Sequence, residues 1–284
     1  MVADTRCITG EGPLWNEDDQ CVYWVDIPQG QLFRYDPAAG SHELVYQGDV
    51  IGGYTLEADG AFLFFQARGA VRRWKDGQLT TIIEEIPEER DSRFNDVIAD
   101  PEGRVFCGTM PANGREGRLY RLDPGGQLTC VLEDAGLSNG MGFTPDLSQM
   151  YHCDTSARRV ITIFDYARAT GELSNRRIFV KVPENEGLPD GMTVDAEGYI
   201  WSAHWDGSAL YRYTPTGEID QRIPFPAKKV SSAAFGGSDL TDLYVTTAGG
   251  DHRETEGSGA GALFRLRPGV KGTPEFRSHI AVDG

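Results

Sequence analysis

Acidic and amide side chains recur at one position of a repeated pattern in this 284-residue sequence. The residues that share the position are Glu11, Asn95, Asn139 and Asp190, with Ser232 in the last repeat. Two carboxylates and two amide oxygens that converge in a buried place need a cation to offset the cost of burial. Two negative charges match a divalent ion, and hard oxygen ligands suit Ca²⁺, Mg²⁺ or Mn²⁺ and tolerate Zn²⁺ or Fe²⁺. So small a ligand set leaves coordination positions for water or substrate, which is typical of a catalytic site.

Each of these residues, taken alone, also has a simpler interpretation. Asn139-Gly140 and Asp190-Gly191 are common turn dipeptides, so both polar residues could be turn formers. Their common position within the repeat favours a shared site instead. All the polar residues named above lie 11 or 12 positions before the centre of the most apolar segment of their repeat.

The repeat itself predicts the elements that position these side chains. Six units of roughly 45 residues run through the chain. Their apolar segments are CVYWVD (21–26), AFLFFQ (61–66), RVFCGT (104–109), MYHCDT (150–155), YIWSAH (199–204) and LYVTTA (243–248). A second segment that alternates with period two follows each of them, as in LFRYD (32–36), and turn dipeptides such as Asp76-Gly77 separate the segments.

Units of this length have room for four short strands, and long helical patterns are absent from the sequence. The sequence therefore predicts an all-β fold, a six-bladed β-propeller with four-stranded antiparallel blades, as a single domain over residues 1–284. The alternative, a β-sandwich, does not keep a 40–50-residue period. The first strand of each propeller blade lines the central channel, so equivalent positions converge on the axis. The second repeat carries Gly52 and Gly53 there, which are expected to leave space.

Composition excludes several classes of partner. The formal net charge of −16 argues against nucleic acid and against anionic membranes. No apolar run is long enough for a membrane helix, and no leader is visible. The five cysteines are widely spaced without a CxxC pair, which predicts free thiols and a cytoplasmic location. We expect a monomer or a weak homo-oligomer.

Nothing in the sequence indicates covalent catalysis, since GxSxG and HExxH are both absent. His152 and His204 occupy matching segments of neighbouring repeats. Packing within the blades is the preferred interpretation of this pair, and a place at the mouth of the site is the alternative.

The sequence resembles the gluconolactonase and regucalcin (senescence marker protein) family of sugar lactonases. The resemblance covers essentially the whole chain. It rests on GEGPLW (10–15), SRFNDVIADPEGRVFCGTM (92–110), SNGMGF (138–143), SNRRIF (174–179) and PDGMTVDAEGYIW (189–201). It implies a six-bladed propeller with one divalent metal in its channel. Ca²⁺ is the first candidate for this metal, and Zn²⁺, Mn²⁺, Mg²⁺ and Fe²⁺ are the others. It also implies an enzyme of carbohydrate metabolism, a carboxylic ester hydrolase that opens small sugar-acid lactones.

The resemblance also implies roles for particular residues. Those matching Glu11, Asn139 and Asp190 hold the metal in that family, and the one matching Asp190 is also the catalytic acid and base. Arg93 and Asn95 match residues that hold sugar hydroxyls, although in more distant propeller hydrolases the match to Asn95 ligates metal. The expected reaction combines a metal-polarised lactone carbonyl with a water molecule activated by Asp190.

Two alternatives stay open on the same scaffold. One is a metal-dependent hydrolase of another ester class, such as a phosphotriester or a different lactone. The other is a calcium-binding propeller without catalysis. The pair Arg93 and Asn95 favours a polyhydroxylated ligand over an apolar ester, because a guanidinium binds oxygens in a bidentate manner. Channel acids with open coordination positions favour an enzyme over a binding protein.

Overall fold

The computed structural model describes residues 1–280, which form six β-sheets arranged in a ring. The first blade consists of β1 (Gly10–Asn16), β2 (Cys21–Asp26), β3 (Gln31–Asp36) and β4 (Ser41–Gln47). The second consists of β5 (Ile51–Leu56), β6 (Phe62–Gln66), β7 (Val71–Lys75) and β8 (Gln78–Ile83). The third consists of β9 (Phe94–Ala99), β10 (Val105–Thr109), β11 (Gly117–Leu122) and β12 (Leu128–Gly136).

The other half of the ring repeats this order. The fourth blade consists of β13 (Ser138–Phe143), β14 (Gln149–Asp154), β15 (Val160–Ala167) and β16 (Glu172–Lys181). The fifth consists of β17 (Leu188–Val194), β18 (Ile200–Trp205), β19 (Ala209–Tyr213) and β20 (Ile219–Pro224). The sixth consists of β21 (Val230–Gly236), β22 (Asp242–Thr247) and β23 (Leu263–Leu266). Strand pairing within every blade is antiparallel and sequential.

The N-terminal segment closes the ring by completing the sixth blade. Leu263 of β23 donates its N–H to the carbonyl of Ala3 at 2.9 Å and accepts the N–H of Val2 at 2.8 Å. This pairing is antiparallel, so the start of the chain takes the place of a fourth strand. The innermost strands β1, β5, β9, β13, β17 and β21 contact one another in this order around the channel, and β21 contacts β1. The predicted six-bladed, four-stranded propeller is confirmed.

Aromatic and aliphatic side chains between neighbouring blades form the core. The second strands, such as β2 and β18, are almost entirely buried because a neighbouring blade covers each of their faces. Val25 and Leu32 of the first blade pack in one cluster with Ile51 and Phe64 of the second. The outermost strands, by contrast, are largely exposed.

Helical structure in the described residues is limited to three short segments. These are the 3₁₀ turns Pro87–Glu89 and Glu184–Glu186 and one helix, α1 (Arg253–Glu256). None of the helices in residues 1–280 is long and apolar enough to cross a membrane. All five cysteines are free, as predicted.

The last ten described residues cross the channel at the side where the innermost strands finish. We call residues 271–280 the C-terminal strap. Its Gly272 pairs with Asp195 after β17, its Ser278 donates its N–H to the carbonyl of Leu56 at the end of β5, and its His279 reaches the third blade. The strap thereby joins several blades and covers one mouth of the channel.

A buried aspartate holds the corner between the first two strands of the fifth blade. One carboxylate oxygen of Asp195 accepts the N–H groups of Glu197 and Tyr199, each at 3.0 Å. The other oxygen accepts the Trp201 indole N–H at 3.0 Å and the Arg212 guanidinium at 2.7 Å. Asp195 is fully buried, so water cannot replace its carboxylate as the partner of these donors.

We expect Asp195→Ala to lower the free energy of unfolding by about 3–5 kcal/mol, because it leaves the buried Arg212 charge short of its main partner. The matched control is Asp220→Ala. Asp220 also contacts Arg212, at 3.0 Å, but its side chain is 37% exposed, so we expect a loss below about 1 kcal/mol. Urea unfolding measures both variants. Equal losses would show that Asp195 does not hold the corner.

Candidate active site in the central channel

Three of the predicted metal ligands lie near the start of innermost strands in three blades. Glu11 is on β1, Asn139 on β13 and Asp190 on β17, and they are 6%, 4% and 3% exposed. The negative charge of Asp190 raises the pKa of Glu11, as expected for two carboxyls that lie near each other. Asn95 Nδ2 lies 3.1 Å from Asn139 Oδ1. The structure therefore brings these four side chains together at the channel mouth opposite the C-terminal strap.

Local irregularities of the innermost strands expose these positions to the channel. In each of the three strands, the pairing with the second strand of the blade is interrupted at the ligand or directly after it. The interruptions lie between Glu11 and Leu14, between Ser138 and Met141, and between Pro189 and Met192. Bulges of this kind redirect side chains and are frequent beside active sites.

The glycines that follow Asn139 and Asp190 have a different role from the one that turn dipeptides suggest. Gly140 and Gly191 lie inside strands, and neither has a positive φ. A Cβ at Gly140 would lie 2.5 Å from the carbonyl oxygen of Asp190, and one at Gly191 would collide with Ser232. The turn interpretation is therefore wrong. These glycines let neighbouring innermost strands approach closely, which places Asn139 beside Asp190.

The glycines of the second blade act in the same way. A Cβ at Gly53 would lie 2.5 Å from the carbonyl oxygen of Asn95. Gly52 and Gly53 thus allow β5 to approach β9, whereas the sequence suggested only that they leave space in the channel.

Buried negative charge dominates this end of the channel. Burial raises the pKa of Glu11 well above its usual range, and the nearby carboxylates of Asp190 and Asp96 raise it further. The pKa of Asp190 is raised by burial and then by Asp96. Arg93 is the cationic side chain that acts on both of these carboxyls, and burial lowers its own pKa although the three carboxylates oppose that shift. With all three carboxyls ionised, the site would hold three carboxylates and one guanidinium, an excess of two negative charges that a divalent cation would offset.

Arg93 and Asn95 form a hydrogen-bonded row that ends at the predicted ligand Asn139. The Arg93 guanidinium donates to Asn95 Oδ1 at 2.7 Å and to the carbonyl of Phe94 at 2.8 Å. Asn95 Nδ2 donates in turn to Asn139 Oδ1 and to the carbonyl of Ser138 at 3.0 Å. Arg93 keeps further N–H donors beyond these bonds, and these can hold oxygens of a ligand.

The side chains present fit a divalent cation. Within residues 1–280, no three His, Cys, Asp or Glu side chains lie close enough together to hold a metal ion. The donor set is instead two carboxylates and one amide, from Glu11, Asp190 and Asn139. Within the same residues neither carboxyl forms a direct ion pair, and the charge of Arg93 offsets the cost of their burial only in part.

Two further residues, Asp96 and Thr155, shape the site without belonging to the repeated polar position. Asp96 is the acidic residue of the RFND motif, and its position next to Asn95 was the available signal. Thr155 is the last residue of the apolar segment of the fourth repeat, and its hydroxyl accepts from Asn139 Nδ2 at 2.9 Å and donates to the carbonyl of Pro189 at 2.6 Å. Thr155 thereby fixes the orientation of the Asn139 amide, which nothing in the sequence pattern indicated.

The two histidines are packing residues, in agreement with the preferred interpretation. His152 is fully buried and bonded to Ser138 Oγ at 2.8 Å. His204 stacks on Tyr211 with ring centroids 4.1 Å apart, and its Nδ1 lies 2.8 Å from the carbonyl of Glu186. Burial lowers the pKa of both imidazoles to about 4, so they stay neutral near pH 7.

Comparison with known proteins places this geometry in a family. Residues 9–249 match the family described as the SMP-30/gluconolactonase/LRE-like region. A pentonolactonase of Haloferax volcanii is 49% identical over 98% of this chain and 97% of its own length. Regucalcin of Gallus gallus is 34% identical, covering 97% of this chain and 96% of its own. The solved structure of regucalcin, a calcium-binding protein from Agrobacterium tumefaciens, superposes with a TM-score of 0.90 at 25% identity over 99% of this chain and 96% of that one. The chain therefore belongs to the SMP-30/gluconolactonase family.

Proposed function

We propose that this protein hydrolyses sugar lactones with the help of one divalent cation in the channel. The observation that carries the proposal is the group of three buried carboxyls beside Arg93 and Asn95, which can bind sugar hydroxyls. Glu11, Asn139 and Asp190 would hold the cation, and Arg93 and Asn95 would hold the sugar. The names of the relatives support this substrate class, since one is a pentonolactonase.

The cation would supply Lewis acidity toward the lactone carbonyl. Ca²⁺ is the first candidate, because all three ligands are hard oxygens and a structural relative is a calcium-binding protein. Zn²⁺, Mn²⁺, Mg²⁺ and Fe²⁺ remain candidates for the same donor set.

Asp190 is the proposed base. Its carboxylate takes a proton from the attacking water as the new C–O bond forms at the lactone carbonyl carbon. It then returns the proton to the ring oxygen as the ring C–O bond breaks, which yields the open hydroxy acid. One carboxyl can serve both steps, because it accepts a proton as the carboxylate and donates the same proton as the acid.

Arg93 and Asn95 are proposed to orient the sugar. The row from Arg93 to Asn139 is held by hydrogen bonds of 2.7 and 3.1 Å, so its donors are in place before the substrate arrives. A prearranged guanidinium also stabilises negative charge that develops on oxygen in the transition state. Since the most similar relative named above acts on pentonolactones, five-carbon aldonolactones are the first substrates to examine.

A substrate panel tests the proposal. The purified protein, supplied with Ca²⁺, is assayed for acid release from pentono- and hexonolactones, an acyl lactone and a phosphotriester. We expect the aldonolactones to give the highest kcat/KM. A preference for the phosphotriester or the acyl lactone would identify a different ester hydrolase. Absence of turnover on every substrate and with every candidate metal would leave the non-catalytic calcium-binding alternative.

A further inference from the structure

The hydrogen-bonded row of the candidate site continues beyond Asn139 to the backbone of the fifth blade. Asn139 Nδ2 donates to the hydroxyl of Thr155 at 2.9 Å, and that hydroxyl donates to the carbonyl of Pro189 at 2.6 Å. The bonds from Arg93 to Asn95 and from Asn95 to Asn139 come before these two. Together they make one continuous chain of hydrogen bonds, which runs from the start of the third blade to the start of the fifth.

The two ends of this chain fix the direction of every bond in it. A guanidinium only donates, so Asn95 turns its oxygen toward Arg93 and its NH₂ group toward Asn139. A carbonyl only accepts, so Thr155 gives its one proton to Pro189 and can only accept from Asn139. Both ends therefore require the same orientation of the Asn139 amide, with Oδ1 toward Asn95 and Nδ2 toward Thr155.

The inner members of the chain have little contact with water that could replace a lost partner. Asn95 and Thr155 are each 8% exposed, and Asn139 is 4% exposed. A buried N–H group without an acceptor costs free energy, so the Asn139 amide depends on the hydroxyl beside it. The Thr155 end is also the more rigid one, because it is bonded to the backbone of β17, whereas the guanidinium of Arg93 lies at the tip of a long side chain.

We propose that Thr155 is a positioning residue for the cation of the channel, because its hydroxyl holds the Asn139 amide in the orientation that offers Oδ1 to the ion. An amide oxygen has two lone pairs, so Oδ1 can accept from Asn95 and keep one lone pair for a cation. The reversed amide would present its NH₂ group, which has no lone pair to offer. This inference rests on the metal site of the proposed function and adds to it a residue outside the ligand set.

The same chain connects the two parts of the proposed site. Arg93 and Asn95 are the proposed sugar-binding residues, and Pro189 directly precedes the proposed ligand and base Asp190. The hydroxyl of Thr155 is the link between the side chains of the row and the strand that carries Asp190. Loss of a residue that only hydrogen-bonds to a metal ligand commonly costs about 10–100-fold in metal affinity, and a single neutral hydroxyl should act at the lower end of that range.

Calorimetric titration of the metal-free full chain with Ca²⁺ tests the proposal. Thr155→Val keeps the shape of the side chain and removes the hydroxyl, and we expect it to weaken Ca²⁺ binding about tenfold. Thr155→Ser keeps the hydroxyl and should restore binding. The matched control is Thr162→Val, since Thr162 is buried in the same blade and donates to the carbonyl of His152 at 3.1 Å. This control should bind Ca²⁺ as the parent does.

A second background shows whether Thr155 acts through the amide. A carboxylate has two equivalent oxygens, so Asn139→Asp leaves no orientation to set. The Thr155 hydroxyl gives its proton to Pro189 and has none for that carboxylate. We therefore expect Thr155→Val to leave Ca²⁺ affinity unchanged when it is combined with Asn139→Asp. A merely structural role of Thr155 would weaken binding in both backgrounds.

The outcomes separate this inference from the proposed function. Parent affinity in Thr155→Val, or equal losses in the two backgrounds, overturns the role of Thr155 and leaves the metal site in place. A parent chain that binds no divalent cation overturns the proposed metal site and this inference with it. Should Thr155→Val fail to fold by circular dichroism, Thr155→Ala takes its place, because it also lacks the hydroxyl and is smaller, and the same two backgrounds are compared.

Discussion

Replacing Asp190 by Asn is expected to lower kcat on the best lactone by about 10²-fold or more, the usual size of a general-base contribution. The amide keeps an oxygen that can bind a cation, but it loses the charge and the basicity. Metal should therefore stay bound, more weakly. Steady-state rates at saturating metal measure the effect, and calorimetry checks that the metal site is filled.

The control for this change is Asp220→Asn, an exposed carboxylate of the same blade, which should keep the parent kcat. The parent should also lose activity as the pH falls far enough to protonate Asp190, because the protonated carboxyl cannot accept a proton. Near-parent kcat in Asp190→Asn at saturating metal would mean that another group activates the water. Asp154 and His204 do not fit that role well, since the first is paired with Arg158 and the second is packed against Tyr211.

Glu11→Ala is expected to abolish lactone hydrolysis and to weaken metal binding. The change leaves Asp190 as the one charged ligand of the site. Loss of a residue that only hydrogen-bonds to a metal ligand already costs about 10–100-fold in metal affinity. Loss of a charged ligand itself should cost more. Calorimetric titration of the metal-free variant with Ca²⁺ measures the affinity, and an aldonolactone assay measures the activity.

Glu17→Ala is the matched control, because Glu17 is an exposed glutamate just after the same strand. It should bind metal and turn over lactone as the parent does. If Glu11→Ala and Asn139→Ala both bind metal like the parent, the ion occupies another part of the molecule, and the proposed ligand set is wrong.

The blades could be predicted from the sequence because each one uses the same solution to the same packing problem. A sheet covered on both faces needs a fully apolar second strand, so segments such as CVYWVD and AFLFFQ recur at a regular step. Glu11, Asn139 and Asp190 share one position relative to these segments, and the propeller geometry brings that position of every blade to the central channel.

Other features depend on contacts between distant parts of the chain. The close approach at Gly140 has the local sequence of a turn, and only the neighbouring strand reveals its purpose. The position of Glu275 in the channel depends on the path of the C-terminal strap, which has no repeat pattern of its own. Thr155, directly after β14, orients Asn139 of β13 through a side-chain bond that depends on how these two segments lie beside each other.

The central claim is that a divalent cation at Glu11, Asn139 and Asp190 is needed for lactone hydrolysis. The most direct test is the initial rate of acid release from a pentonolactone by one protein sample. The rate is measured before chelation, after removal of all metal has been verified by elemental analysis, and after addition of Ca²⁺ or another candidate ion. We predict that the rate falls to the uncatalysed level and returns with added metal. Full activity in the verified metal-free protein would contradict the account.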